Sequence, residues 1–534
     1  MNTVTARTHS GLMPYAGTWD TEQVIHLLRR TTFGAKKADI DALKALTMPQ
    51  AIDTLLTPLA APAPPLNDYD VNGTIDPTVP YGQTWVNAPV NSSIEFLRRK
   101  SWFSWWGGLM LNQGANLTEK MTLFWHNHFA TESAIVSRGI SVYRHNALLR
   151  ASCFGNFKQL VKEVTLDSAM LIYLNGYKNS NTAPDENYAR ELQELFTVGK
   201  INGIAPYLED DVKAAAKVLT GYRIDATTGY YYFNSLKHDV SNKTFSAFYG
   251  NTVIIGQSGA AGETELDVLL DMIFVKDEVA LNICRKLYRF FVYYEIDATT
   301  ETNVIEPLAT IFRNNNYDIL PVLDALFKSE HFFDMANRSC VIRPPLDFIV
   351  GMCREMGMNF PDNTNVNLQY KMWYYLVNQA KGMQQEAGSP PSVAGWPAYY
   401  QAPQFHEMWI NAVTLPLRTN LATRFLGTGY TTGGFTLKFD LVTFVQNAIS
   451  NPFNPNTVVS ECCILLLGID ISQTTKDTIK TSALLSGQAM DSYWTDAWND
   501  YTSAPTNTTY YNAVKSRLTA MFSTLMGIAE YHLS

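Results

Sequence analysis

Cysteine is scarce. There are six in 534 residues, and Cys153, Cys284, Cys340, Cys353, Cys462 and Cys463 form no C-x-x-C pair and no regular spacing. That argues against a disulfide framework and against a structural zinc site made of four cysteines, and leaves buried thiols that behave as small hydrophobes. Charge is scarce as well: 17% of the residues are charged, against roughly 25% in an ordinary soluble protein. There is no basic excess, since 41 Lys and Arg stand against 49 Asp and Glu for a net charge of −8. A nucleic-acid or anionic-membrane partner would want the opposite sign. Long apolar runs are missing too. A stretch such as Cys462 to Leu467 falls far short of the ~20 residues that cross a bilayer. Met1 to Tyr15 carries Arg7 and His9 but no apolar h-region, so no secretory signal and a cytoplasmic location are expected. G-x-S-x-G, the Walker loop, G-x-G-x-x-G and H-E-x-x-H are all absent, so no nucleotide cofactor and no zincin chemistry is expected. Apolar residues reach 46% and aromatics 12%, which suits a large globular core and excludes a disordered chain.

The periodicity is helical. Asp20 caps a first helix with Gln23 closing a capping box, Val24, Leu27, Leu28 and Thr31 form one stripe, and Gly34 ends it. Ile40, Leu43 and Leu46 mark a second helix. Thr47, Pro49 and Gln50 open a third, with Ile52, Leu55 and Leu56 on its inner face. Residues 57–90, with seven prolines, read as a long loop wrapped over the surface. Ser92 and Glu95 look like another capping box. Helical patterns continue, including Asp185–Val198 stopped by Gly199, and one strand-like stretch, Tyr222–Phe233, reads as a small hairpin. Val514, Leu518, Met521, Phe522 and Leu525 mark a final amphipathic helix. The expected fold is mainly α, a multi-helix globular body with one small β-hairpin element. Residues 1–430 are expected to form a helical core domain and 431–534 a helical extension packed on it.

Three features could carry chemistry. Trp125-His126-Asn127-His128-Phe129 is an H-x-H. Residues two apart on a helix point about 200° away from each other and cannot share a ligand, whereas at a helix end or in extended chain they can. On the helix from Asp185, residues Asn187, Arg190, Glu191 and Glu194 share one face, where carboxylates can ligate a cation or serve as acid and base and the guanidinium can grip an anion. Such a face is also what an ordinary solvated helix presents. The third is Lys237-His238-Asp239, with Lys243 four residues after Asp239.

Together these stretches resemble the bacterial domain-of-unknown-function family 1800. The resemblance rests on His26-Leu27-Leu28-Arg29-Arg30-Thr31-Thr32-Phe33-Gly34, Glu119-Lys120-Met121 through Phe129, and Glu186 to Phe196. It continues through Leu219-Thr220-Gly221, His238-Asp239 with Lys243-Thr244-Phe245, Arg285-Lys286-Leu287, Phe290-Phe291 and Pro390 to Pro397. Asp185 stands where the family more often has Asn. The resemblance implies a helical fold, no established function, frequent export, and a companion protein that looks like a sulfatase or alkaline phosphatase. It also puts the three features into one set that could converge on a cleft.

Two readings follow. In the first the chain is a metal-dependent enzyme, hydrolase first and oxidoreductase second. His126, His128, Glu191, Glu194 and His238 would hold a divalent Zn, Fe or Mn ion, Glu186 or Asp239 would act as general base, and Arg190 or Lys243 would hold an anionic substrate group. In the second the same residues form a structural network in a non-catalytic scaffold. That scaffold binds the sulfatase-like companion or a surface saccharide, with Trp373-Tyr374-Tyr375 and Tyr399-Tyr400 as exposed interface.

Overall fold

A computed structural model describes residues 7–201 and 203–534; the first six residues of the stretch read for a secretory signal lie outside it. Helix α1 (Thr21–Thr31) starts where the sequence says it should. Asp20 accepts the Thr21 amide at 2.6 Å while Gln23 Oε1 takes the Asp20 amide at 3.1 Å. Helices α2 (Lys37–Lys44) and α3 (Met48–Leu56) follow, the latter with the Thr47–Gln50 box and Pro49 in its first turn. The loop after α3 is ordered by its own carboxylates. Asp70 accepts the amides of Thr74, Ile75 and Asp76 at 2.8–2.9 Å, and Asp76 pairs with buried Arg98 at 3.2 Å.

Helix α4 (Glu95–Asn112) is one departure. Glu95 joins no box with Ser92; its carboxylate takes the Asn91 and Gly139 amides and Arg98. A long-range job won over the local cap. Gly107 and Gly108 let α4 lie directly on a later helix: a Cβ at either would sit 2.5–2.6 Å from Val377 or Trp373. Helix α5 (Thr118–His128) runs through the middle of the molecule, and every residue on it except Asn127 is buried. Beside it lies α6 (Gly139–Ala151), whose Arg150 grips Glu119 of α5 through Nε at 2.7 Å and Nη2 at 2.9 Å.

The acidic segment begins as α7 (Asn187–Glu191) and continues as a π turn, Leu192–Phe196. Then come α8 (Glu209–Val218), α9 (Glu265–Phe274), α10 (Asp277–Phe291), α11 (Pro345–Glu355), α12 (Val366–Gly382), α13 (Pro455–Leu467) and α14 (Thr508–Gly527), with further helices between them. The expected hairpin is present as β1 (Tyr222–Ile224) and β2 (Tyr231–Phe233), antiparallel with Arg223 opposite Tyr232. Two more pairs appear, β3 (Lys243–Thr244) with β4 (Val253–Ile254) and β5 (Tyr430–Thr432) with β6 (Phe435–Leu437). With 57% helical and, among the described residues, only small two-stranded sheets and isolated bridges as β structure, the fold is mainly α. The C-terminal segment meets the N-terminal one directly: Arg29 Nη2 of α1 donates to the carbonyls of Leu465 and Leu466 on α13.

Among the described residues no helix is long and apolar enough to cross a membrane. Five of the six thiols are buried and none is bonded to another. The aromatic stretches expected at the surface are mostly inside. Trp373 is buried, Tyr374 and Tyr375 are half-buried with Tyr375 stacked on Tyr430 at 3.6 Å, and of the later pair only Tyr400 is exposed. The helical face of α12 packs on α4, which claims these rings for the core.

Candidate functional site

The H-x-H occupies the last turn of α5, before Phe129 leaves helical geometry. Both histidines are still helical, so their rings diverge. His126 looks into an aromatic wall, with ring centroids 5.5 Å from Trp106, 5.9 Å from His145 and 6.2 Å from Trp396. Neither of its ring nitrogens has a hydrogen-bond partner among the described residues. Burial, helped by His145, holds its pKa well below the usual histidine value, so it is neutral. His128 points the other way. Its Nε2 lies 3.1 Å from the Phe196 carbonyl, and its Nδ1 lies 3.1 Å from Lys286 Nζ on α10. A neutral ring with hydrogen on Nε2 donates to the first and accepts from the second. Lys286 also donates to the Leu195 carbonyl at 2.6 Å, and burial brings its ammonium down to about 7. Asn127, between the two histidines, accepts the Trp396 amide at 2.8 Å and so ties the Pro390–Pro397 segment to α5.

The π turn explains why the acidic face does not look as a regular helix would. Buried Gln193 donates to the Ala189 carbonyl at 3.1 Å and accepts the Tyr249 hydroxyl at 2.8 Å. The segment ends at Phe196, and the end carbonyls of Leu195 and Phe196 are taken by Lys286 and His128. Arg190 faces outward and holds both oxygens of Glu209 at 2.7 Å and Glu186 at 3.2 Å. Glu194 pairs with Lys200. Glu191 is half-buried, and burial with the neighbouring Glu194 charge raises its carboxyl pKa.

His238 sits in a third network. Its Nδ1 is 3.0 Å from the Thr220 carbonyl and its Nε2 is 3.1 Å from Glu265 Oε1. Lys243 meets Glu265 Oε2 at 2.6 Å and the Asp239 carbonyl, and the Gln257 amide adds a bond of 2.7 Å to Oε1. Burial works to raise the Glu265 carboxyl, but His238 and Lys243 together pull it below the usual range. Gly262 closes over the ring, where a Cβ would lie 2.6 Å from His238 Cδ2. Asp239 turns its carboxylate to Ser241.

The structure therefore joins the H-x-H to the acidic segment through His128 and Lys286, and it places Glu186 and Arg190 in a surface clamp with Glu209. It gives His238 and Lys243 to Glu265 instead. His126, His128, Glu191, Glu194 and His238 are not brought to one point: among the described residues no three His, Cys, Asp or Glu side chains form a group that could hold a metal ion. The divergence of two helical histidines and the capture of His238 by Thr220 and Glu265 are the reasons. Sequence reasoning gave no role to Lys286 or Glu265. Lys286 had at most a weak signal, a cation between Arg285 and the apolar Leu287 of an amphipathic helix. Glu265 had none, because an acid in a first helical turn is ordinary.

The chain matches the family described as "Protein of unknown function (DUF1800)" over residues 26–533 and belongs to it. No curated protein and no solved structure matches.

Proposed function

We propose that this protein is a non-catalytic helical scaffold that binds a partner, and that its histidine and carboxylate motifs hold the fold. One observation carries the reading: the ring nitrogens of His128 and His238 are all engaged by protein groups. A buried polar network with every member satisfied rigidifies a fold and leaves nothing to coordinate a ligand. The partner is the sulfatase- or phosphatase-like companion that the family resemblance implies. The surface it would meet is the hairpin region, where Tyr230, Tyr231, Tyr232, Leu236, Val240, Val253 and Ile255 are exposed, Leu236 to 84%.

A divalent-metal enzyme is the second reading, favoured by the two unpartnered, buried nitrogens of His126. Zn, Fe or Mn would supply a Lewis acid there, for hydrolysis first and oxidoreduction second. His128, Glu191, Glu194 and His238 would complete the ligands, Glu186 or Asp239 would take the proton, and Arg190 or Lys243 would hold an anionic group. It requires the last turn of α5 to unwind so that His126 and His128 face one point, His128 to give up Lys286 and His238 to give up Glu265.

Elemental analysis of wild type and of the His126→Ala, His128→Ala double variant, with thermal melts in added Zn, Fe or Mn, separates the two. The scaffold predicts a metal-free wild type whose melting the ions leave unchanged. Near-stoichiometric metal, lost in the double variant, would overturn it in favour of the enzyme.

A further inference from the structure

Between α1, α5, α10 and the segments 341–347 and 398–409 lies a small cavity of about 30 Å³. That is room for one small ion and no larger body. Its wall carries four cationic side chains, Arg29, Arg30, Lys120 and Arg289, against one side-chain carboxylate, Asp347. Lys120 is paired with Asp347. Arg29 shares Glu355 with Arg343, at 3.1 and 3.2 Å. Arg30 and Arg289 have no carboxylate partner among the described residues: Arg30 donates to the Asn337 carbonyl at 3.1 Å, and Arg289 to the Tyr294 carbonyl at 3.2 Å. Ser534 also lines the cavity, and a terminal carboxylate there still leaves the cations in excess.

The wall also has donors to spare. Arg30 Nε and Trp409 Nε1 are buried with no hydrogen-bond partner among the described residues, and their side chains belong to residues at most 4% exposed. Asp347 Oδ2 on the same wall is the one carboxylate oxygen without a partner among the described residues, and the unpartnered Arg29 Nη1 lies against Gly468, away from the lining. An unmet donor and an uncompensated buried cation are each costly. Water could satisfy the donors but would not offset the charge. An anion does both, and guanidinium and indole N–H groups suit the oxygens of an oxyanion.

We propose that this cavity is a binding site for one small oxyanion of the phosphate or sulfate type, held by Arg30 and Trp409, with Arg29 adding its charge. The cations crowd one another as the assignment requires. Burial and Arg343 bring Arg29 down to about 10, burial with Arg30 and Arg343 pulls Lys120 well below the usual lysine value, and burial and Arg30 bring His406 down to about 4. The site lies outside the three networks described above and does not depend on whether they hold a metal.

The test is calorimetric titration and thermal melting of the full chain with sodium sulfate and sodium phosphate, against sodium chloride at matched ionic strength. Phenyl phosphate in a parallel arm tells a free ion from the end group of a larger ester. Saturable binding of sulfate or phosphate is expected, and Arg30→Met and Trp409→Phe each weaken it by about tenfold or more. In chloride Arg30→Met should melt no lower than wild type, because it removes an unpaired buried cation. A purely structural Arg30 would instead lower the melting temperature and leave the anion response intact. Absence of saturable binding to wild type, or unchanged affinity in both variants, overturns the site. If Arg30→Met does not fold, Trp409→Phe, which keeps an aromatic ring and drops one N–H, decides alone.

Discussion

Two buried charged clusters in this molecule are built from similar residues and come out differently. Around Glu265, one carboxylate meets His238, Lys243 and a backbone amide, and the polar groups facing it are matched. Around the cavity at Arg30, cations outnumber carboxylates and donors are left over. The first arrangement satisfies itself and holds two hairpins and a helix together. The second is incomplete in its own charges, and an incomplete buried network is expensive unless something external completes it. Residue type alone did not separate them; the balance of partners does.

Breaking the matched cluster should give the largest effect. Glu265→Ala strands Lys243 in the interior, and unfolding measurements in denaturant should show a loss of about 3–5 kcal/mol. The same carboxylate sets an acid limit. Its pKa lies below the usual range in the fold, so its contribution is complete above the unfolded value near 4.5 and is lost as pH falls through the folded value. Glu265→Gln should flatten that acid limb. Next comes Gly262→Ala, whose Cβ would press on the His238 ring; overpacking of this kind costs about 1–3 kcal/mol, read as a lower denaturation midpoint with unchanged slope.

Lys286 sharpens the comparison from a third position. Its ammonium is brought down to about 7 from 10.5, so between those values the unfolded chain binds more protons than the folded one, and wild-type stability should rise with pH. Lys286→Met should remove that slope, and the donors lost by His128 and the Leu195 carbonyl should show as lower stability than wild type chiefly toward the alkaline end, where the wild-type lysine is neutral in both states. Melting curves from about pH 7 to 10 check both. The smallest effect belongs to the surface clamp. Arg190→Ala breaks pairs that are substantially exposed, and the melting temperature should stay within error of wild type.

What the sequence made legible was local. The Asp20–Gln23 and Thr47–Gln50 boxes, the stripe from Val24 to Thr31, the loop 57–90, the Tyr222–Phe233 hairpin and the helix through Val514 and Leu525 are signals spanning at most a few turns. Glu95 carried the same local signal and was taken by Gly139 instead. The π turn at Leu192 is bonded by Tyr249 and Lys286 from far along the chain, and the partner of His238 is 27 residues away in chain order. No spacing rule contains those pairings. The cavity was hidden for the same reason: Arg29, Arg30 and Lys120 were visible as residues, but their shortage of carboxylates is a property of the packed molecule.

The contrast between the two clusters is tested most directly by calorimetry of wild type, Lys243→Met and Arg30→Met, each with and without sulfate. Lys243→Met should be strongly destabilised and still respond to sulfate, while Arg30→Met should keep wild-type stability or better in chloride and lose the sulfate response. Equal destabilisation of both variants with the same sulfate increment would contradict the distinction between a network that holds the fold and a cavity that takes an anion.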